Sequence, residues 1–298
     1  KFDYEVTTEA QPSTSGLLDK VGLKNANSVV SLKVKGSINS YDIMVIRNKM
    51  DNLHYLDLSD ANVVENSYEY YTGCSTKNDT IGRNAFRDLS KLITVSLPNS
   101  VKVIASGALY NCTKLKSVVL PEKLSYIEDD WSWDGGTFGN CSSLTDVKFK
   151  ACNYIGDRAF SSCNALYHIT LPSDLKTIGQ YAFKNCSNLH SVDFPPLLER
   201  IGTYAFQSCA LDSISLPGLT RIDEYAFSGC SNLKEVKVPS TLESVGDKAF
   251  EGCSNLNDVF TYTILPVKIN QNTFCTYETA TLHVPEQSYN NYFWDTEW

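Results

Sequence analysis

His168 and His190 fall in neighbouring strands of the chain with Asp193 nearby, which brings two imidazoles and a carboxylate toward one another. Residues of these types can bind a metal or move a proton. Their spacing argues against it. His168 stands one residue before Ile169, whereas His190 stands two before Val192, so the two rings are not expected to share a direction. A solvated strand face explains them without chemistry. No G-x-S-x-G, H-E-x-x-H or phosphate-loop motif occurs, and Gly135-Gly136 lacks phosphate-binding spacing. None of the ten cysteines stands in a C-x-x-C pair, which disfavours a zinc knuckle. Two aromatic segments remain. Trp131 and Trp133, flanked by Asp129, Asp130 and Asp134, could stack on sugar rings, grip a protein, or fold back over the edge of the core. Tyr68, Tyr70 and Tyr71 form the other segment, for which a structural role is favoured.

The elements that must position these groups come from an internal repeat. Ile178-Gly179-Gln180-Tyr181-Ala182-Phe183-Lys184-Asn185-Cys186 leads into Leu189, Val192, Phe194 and Pro195, and the frame returns at Ile201, Phe206, Cys209 and at Ile222, Phe227, Cys230. The Phe slot is filled by Phe86, Leu109, Phe138, Phe160, Phe183, Phe206, Phe227, Phe250 and Phe274, at steps of 21–24 residues apart from one insertion. L-x-x-V-x-L-P alternates apolar and polar residues, which predicts a strand with one buried face. I-G-x-x-A-F-x-x-C predicts one helical turn with its apolar side inward. No copy buries its own apolar residues, so the copies must stack into a continuous core.

The predicted fold class is α/β: a right-handed, horseshoe-like leucine-rich-repeat solenoid of about nine repeats of 21–24 residues with caps at both ends. A parallel β-helix is the runner-up, and a helical turn at A-F-x-x-C would decide against it. The expected divisions are a tail or linker over 1–15, an N-terminal capping region over 16–80, repeats over 81–285 and a C-terminal cap over 286–298. Within the second division, Val29–Val34 reads as a strand and Ser40–Met50 as a helix. Cys112, Cys141, Cys163, Cys186, Cys209, Cys230 and Cys253 share one repeat position. Side chains at equivalent positions run parallel, and seven is odd, so buried reduced thiols are expected rather than disulfides.

The strand positions between core residues should line an inner, concave face. They are Tyr55, Asp57, Thr94, Ser96, Ser117, Val119, Asp146, Lys148, His168, Thr170, Ser191, Asp193, Ser213, Ser215, Glu235, Lys237, Asp258 and Phe260. Solenoids bind partners on such faces. With Asp and Glu numbering 34 against 26 Lys and Arg, a net charge of −8 argues against a nucleic-acid surface. No apolar run approaches the roughly 18 residues needed to span a bilayer. No charged segment followed by an apolar one opens the chain, so any leader is expected to have been removed.

The motif A-F-x-x-C-x-x-L-x-x-V-x-L-P resembles the BspA-type leucine-rich repeats of surface proteins from anaerobic gut and oral bacteria, over about residues 81–285. The resemblance implies a secreted or cell-surface location, with a lipid anchor before processing as one mode of attachment. It implies a non-catalytic adhesion module whose partner is a host or bacterial surface protein or a polysaccharide; a monomer without cofactor or metal is expected alongside, on the absence of any motif for either. A structural spacer presenting another domain is the alternative, and an enzyme is disfavoured. The residues expected to bind are Trp131, Trp133, Tyr68, Tyr70, Tyr71, Lys148, His168, Thr170 and Asp193.

Overall fold

A computed structural model describes residues 2–130, 135–269, 272–276 and 279–293. The chain divides into two compact units, Lys1–Cys152 and Asn153–Trp298. Both are built from stacked coils with a front strand each; most coils return through a short back strand, and the first two of the N-terminal unit return through helices Gly16–Val21 and Ser40–Lys49.

In the N-terminal unit the front strands Tyr4–Thr8, Ser31–Ile38, Tyr55–Asp57, Thr94–Ser96, Ser117–Val119 and Asp146–Lys148 form one parallel sheet in that order. Thr80–Ile81, Val103–Ile104 and Tyr126–Ile127 pair in parallel behind it. In the C-terminal unit, Tyr154–Ile155, Thr177–Ile178, Arg200–Ile201, Arg221–Ile222 and Ser244–Val245 form the back strands, each in register with the next. The front strands there are His168–Thr170, Ser191–Asp193, Ser213–Ser215, Glu235–Val238, Asp258–Thr261 and Thr281–His283. This is a leucine-rich-repeat solenoid of parallel stacked strands.

The register places like residues over like. Phe160, Phe183, Phe206, Phe227, Phe250 and Phe274 form a column with ring centroids 4.9–5.4 Å apart and planes within 6°. That separation suits offset aromatic stacking and matches the strand spacing. In the N-terminal unit Phe86, Leu109 and Phe138 fill the slot and are fully buried.

The helical turn expected at A-F-x-x-C does not form, so that turn does not separate the fold from a parallel β-helix; the segment is a run of tight turns. The residues two before and two after the slot residue carry left-handed backbones: Tyr181 at φ 58° and Asn185 at 61° around Phe183, Tyr204 at 58° and Ser208 at 59° around Phe206. A right-handed helix cannot contain them. They turn alternate N–H groups along the stack. The N–H groups of Tyr181, Phe183 and Asn185 donate to the carbonyls of Thr203, Ala205 and Gln207 at 3.0, 2.7 and 2.8 Å, whereas Cys186 N–H closes back on Phe183 O at 3.2 Å. A helix would spend those donors inside one coil; here they join successive coils.

The same carbonyl column explains the cysteines. Cys186, Cys209, Cys230 and Cys253 each direct Sγ to the carbonyl of the Phe one coil earlier, at 3.1–3.3 Å. Cys112 and Cys141 do the same to Phe86 and Leu109. The slot takes a small apolar residue with a weak S–H donor. All seven are buried thiols, not disulfides. Burial pushes Cys141 and Cys230 up to about 12.

At the start, residues 1–15 are not an unstructured tail: Tyr4–Thr8 pairs in parallel with Ser31–Ile38. The alternation Tyr4, Val6, Thr8 carries this strand, and its shortness hides the period. Helix Ser40–Lys49 opens on a capping box of Asn39 and Asp42, and the buried Asp42 carboxylate also accepts from Ser15 Oγ at 2.7 Å and Leu17 N at 2.9 Å. At the other end, Glu286–Ser288 and Tyr289–Phe293 are helical turns, and buried Tyr292 hydrogen-bonds Thr261 and Thr263 through its hydroxyl.

Phe183→Ala is expected to destabilise the fold by about 3–5 kcal/mol in denaturant unfolding, because it removes one ring from a close-packed column. Thiol titration of the native protein should report exposed Cys275 and leave the ladder silent until guanidinium unfolds the chain. Ladder thiols reacting as fast as Cys275 in native protein would contradict their burial.

Candidate functional site

In the N-terminal unit, the side chains left on the outer side of the front strands are a mixture of charged residues and small hydroxyls, with one large ring. Tyr55 is 42% exposed and stands in register with Ser31 and Thr94. Beside it, Lys33 Nζ lies 3.1 Å from Asp57 and 2.9 Å from Asp60. Burial pushes the Asp57 carboxyl up, but hydrogen bonds from Ser59 and Lys33 outweigh it and hold the group below its ordinary range. Bonds to Asp60 and Asp57 raise Lys33. Tyr55 and Asp57 edge an open groove of about 460 Å³ that Phe2, Asp3, Ser31, Thr94 and Ser96 also line. Asp3 fixes its N-terminal edge: its carboxylate accepts from Ser31 N at 3.0 Å, and its N–H donates to Ser31 Oγ at 2.7 Å. Phe2 and Asp3 belong to the stretch expected as a tail, so the sequence reading could not place them here.

In the C-terminal unit, His168, Thr170 and Asp193 do come together. His168 Nδ1 lies 2.8 Å from Ser191 Oγ; its Nε2 lies 3.2 Å from Thr170 Oγ1 and 3.2 Å from Asp193 Oδ2. Thr170 Oγ1 donates to Asp193 at 2.7 Å. A serine, an imidazole and a carboxylate in line can activate a nucleophile. Here the imidazole and carboxylate are 45% and 61% exposed, so water screens both. The strand N–H groups run toward neighbouring strands, not toward a reacting oxygen. The cluster presents donors and acceptors to solvent and is suited to recognition. His190 points elsewhere, as its offset implies: its ring packs on Tyr167 at 4.7 Å, and Nδ1 meets Asp212 at 3.1 Å.

The remaining expected residues separate. Lys148 belongs to the N-terminal unit and pairs with Asp146 on its own strand at 3.3 Å. The tyrosine segment is an antiparallel hairpin, Asn66–Tyr71 with Cys74–Thr76. Tyr70 is not available to a partner. It is 3% exposed, and its hydroxyl donates to Arg83 O at 2.7 Å, because strand alternation turns it inward where its neighbours turn out. Tyr68 stacks on Tyr41 at 4.1 Å, and the Arg47 guanidinium sits 4.4 Å over Tyr71; both tyrosines remain about two-fifths exposed. Trp131 and Trp133 lie outside the described residues. The insertion that carries them is tied at its base, where buried Asp130 accepts from Gly135 N at 3.0 Å.

Among the described residues, no group of three or more His, Cys, Asp or Glu is placed to hold a metal ion. No described helix is long and apolar enough to cross a membrane.

No curated protein sequence matches the chain. Among solved structures, a leucine-rich repeat protein from Bacteroides ovatus is 22% identical over 72% of this chain, with a TM-score of 0.48, and this chain spans 66% of that protein. The leucine-rich repeat protein of T. pallidum is 33% identical over 58% of this chain and 69% of its own, with a TM-score of 0.43. A leucine-rich cell surface protein from Faecalibacterium prausnitzii is 20% identical over 70% of this chain and 87% of its own, with a TM-score of 0.31. The family model of the BspA-type leucine-rich repeat region matches in six copies over residues 71–170, 133–220 and 153–281. With its phenylalanine column, its thiol ladder and that match across most of its length, the chain belongs to the BspA-type leucine-rich-repeat family.

Proposed function

We propose that this chain is a non-catalytic binding module of a secreted or cell-surface protein, recognising a host or bacterial surface protein or a polysaccharide through the outer side of its front strands. The observation that carries the reading is the groove at Tyr55, where an exposed ring, three hydroxyls and a carboxylate held ionised converge on one open concavity. Aromatic rings give large contact area at little entropic cost, and fixed polar groups around them give specificity. Membership of a family of binding repeats supports the same reading and supports the surface location. The exposed His168–Thr170–Asp193 cluster and the Trp131–Trp133 insertion are the secondary contacts of this proposal.

The test is a binding screen against immobilised extracellular-matrix proteins and a glycan panel at two salt concentrations. Tyr55→Ala and the double variant Trp131→Ala, Trp133→Ala run alongside the unmodified chain. A saturable partner whose affinity falls at least tenfold in Tyr55→Ala is the expected outcome. A folded chain that binds nothing saturably would favour the spacer reading. Loss in the double variant alone would move the site to the insertion.

A further inference from the structure

In the C-terminal unit, the residue after the back strand is glycine in four copies: Gly156, Gly179 and Gly202 after isoleucine, and Gly246 after Val245. Space dictates the choice. A Cβ added at Gly202 would sit 2.8 Å from the backbone of the preceding coil, and one at Gly246 would sit 2.4 Å from it. Between these two copies the slot holds Asp223, only 5% exposed.

Its carboxylate is shared by two arginines. Arg200 and Arg221 are register partners on adjacent back strands, so their side chains leave the sheet side by side. Asp223 Oδ2 accepts from Arg200 Nε at 2.9 Å and Nη2 at 2.6 Å, and Oδ1 accepts from Arg221 Nε at 2.5 Å. One negative charge thus faces two positive ones. Each guanidinium has five N–H donors, and Asp223 occupies two of one and one of the other. Both arginines remain about half exposed and line an open cavity of about 440 Å³ with Thr203 and Ser244. Glu224 also lines it and forms an ion pair with neither arginine.

We propose that Arg200 and Arg221, oriented by buried Asp223, form a binding site for an oxyanion group: a carboxylate, sulfate or phosphate. A planar guanidinium fork matches such groups in two-point contact. Holding both forks on a buried carboxylate before the ligand arrives removes much of the entropic cost of ordering them. Asp223 and Glu224 match the two arginines in charge, so attraction for an anion rests on the guanidinium donors that Asp223 leaves unfilled rather than on net charge. This site lies on the back strands and stands independently of the front-strand groove.

The full chain, labelled with ¹⁵N, is titrated with sodium acetate, sulfate and phosphate in separate arms, with ionic strength held constant by sodium chloride. The readout is the arginine Nε–Hε resonances. Saturable shifts at Arg200 and Arg221 are expected in at least one arm, with a Kd in the millimolar range, weakened at least tenfold in Arg221→Gln. The arm that saturates most tightly identifies the oxyanion. Shifts that stay linear in all three arms, or saturation unchanged in a folded Arg221→Gln, would overturn the proposal. Asp223→Asn separates orientation from charge: weaker binding despite one negative charge fewer supports the positioning role, and tighter binding overturns it.

Discussion

The N–H of Phe183 donates to the carbonyl of Ala205 at 2.7 Å, and the rings of Phe183 and Phe206 lie 5.1 Å apart in nearly parallel planes. Those two contacts express one constraint, that each coil must sit directly over the next at strand spacing. The left-handed residues either side of each Phe satisfy it by turning alternate N–H groups along the stack. The cysteine satisfies it by sending a weak donor to the carbonyl of the coil before. Left-handed backbone at Tyr181, Tyr204 and Tyr225 opposes folding, at about 1–2 kcal/mol per non-glycine residue. The rings recover part of that by stacking on one another at 4.6–5.1 Å.

The same constraint governs the surface. Stacking equivalent residues places like charge beside like charge, which destabilises a sheet unless something intervenes. Glu235 is in register with Asp258; the Lys237 ammonium meets Glu235 at 2.8 Å, and the His283 ring hydrogen-bonds Asp258 at 2.7 Å. Lys33 bridges Asp57 and Asp60, and His190 meets Asp212 one coil on. Elsewhere the front strands avoid the difficulty with Ser and Thr. The mixed, hydroxyl-rich face is therefore partly a requirement of the solenoid. A hydroxyl on it carries less functional information than an exposed ring such as Tyr55.

Much of this was legible in the repeat. The Phe slot, the buried Leu and Ile positions, the thiol ladder and the placing of His168 on the strand beside Asp193 follow from period and alternation. What escaped follows from features without a period. A-F-x-x-C has helical apolar offsets, yet its left-handed positions hold Tyr, Asn, Ser, Gly, Lys and Arg by turns, so no residue type marks them. The first strand is five residues long and has no repeated neighbour. Tyr70 and Tyr71 are adjacent and chemically alike, and only the pleat of the hairpin separates a core residue from an exposed one.

A strict period also shows where to look for function. A residue present in every coil is there because the stack requires it. A residue present in one coil is not required by the stack, and Asp223 runs against it: its neighbours in that slot have no room for a Cβ, and burying a carboxylate is unfavourable unless charged donors meet it. Glycine serves in the coils on either side, so the fold alone does not account for the carboxylate. What Asp223 adds is the fixed placement of two arginines that would otherwise repel and move freely. The groove at Tyr55 is a departure of the same kind, an aromatic ring among hydroxyls two strands in from the sheet edge that the N-terminal strand forms. Such interruptions are the places free to carry a role of their own, because the periodic residues are already committed to holding one coil on the next.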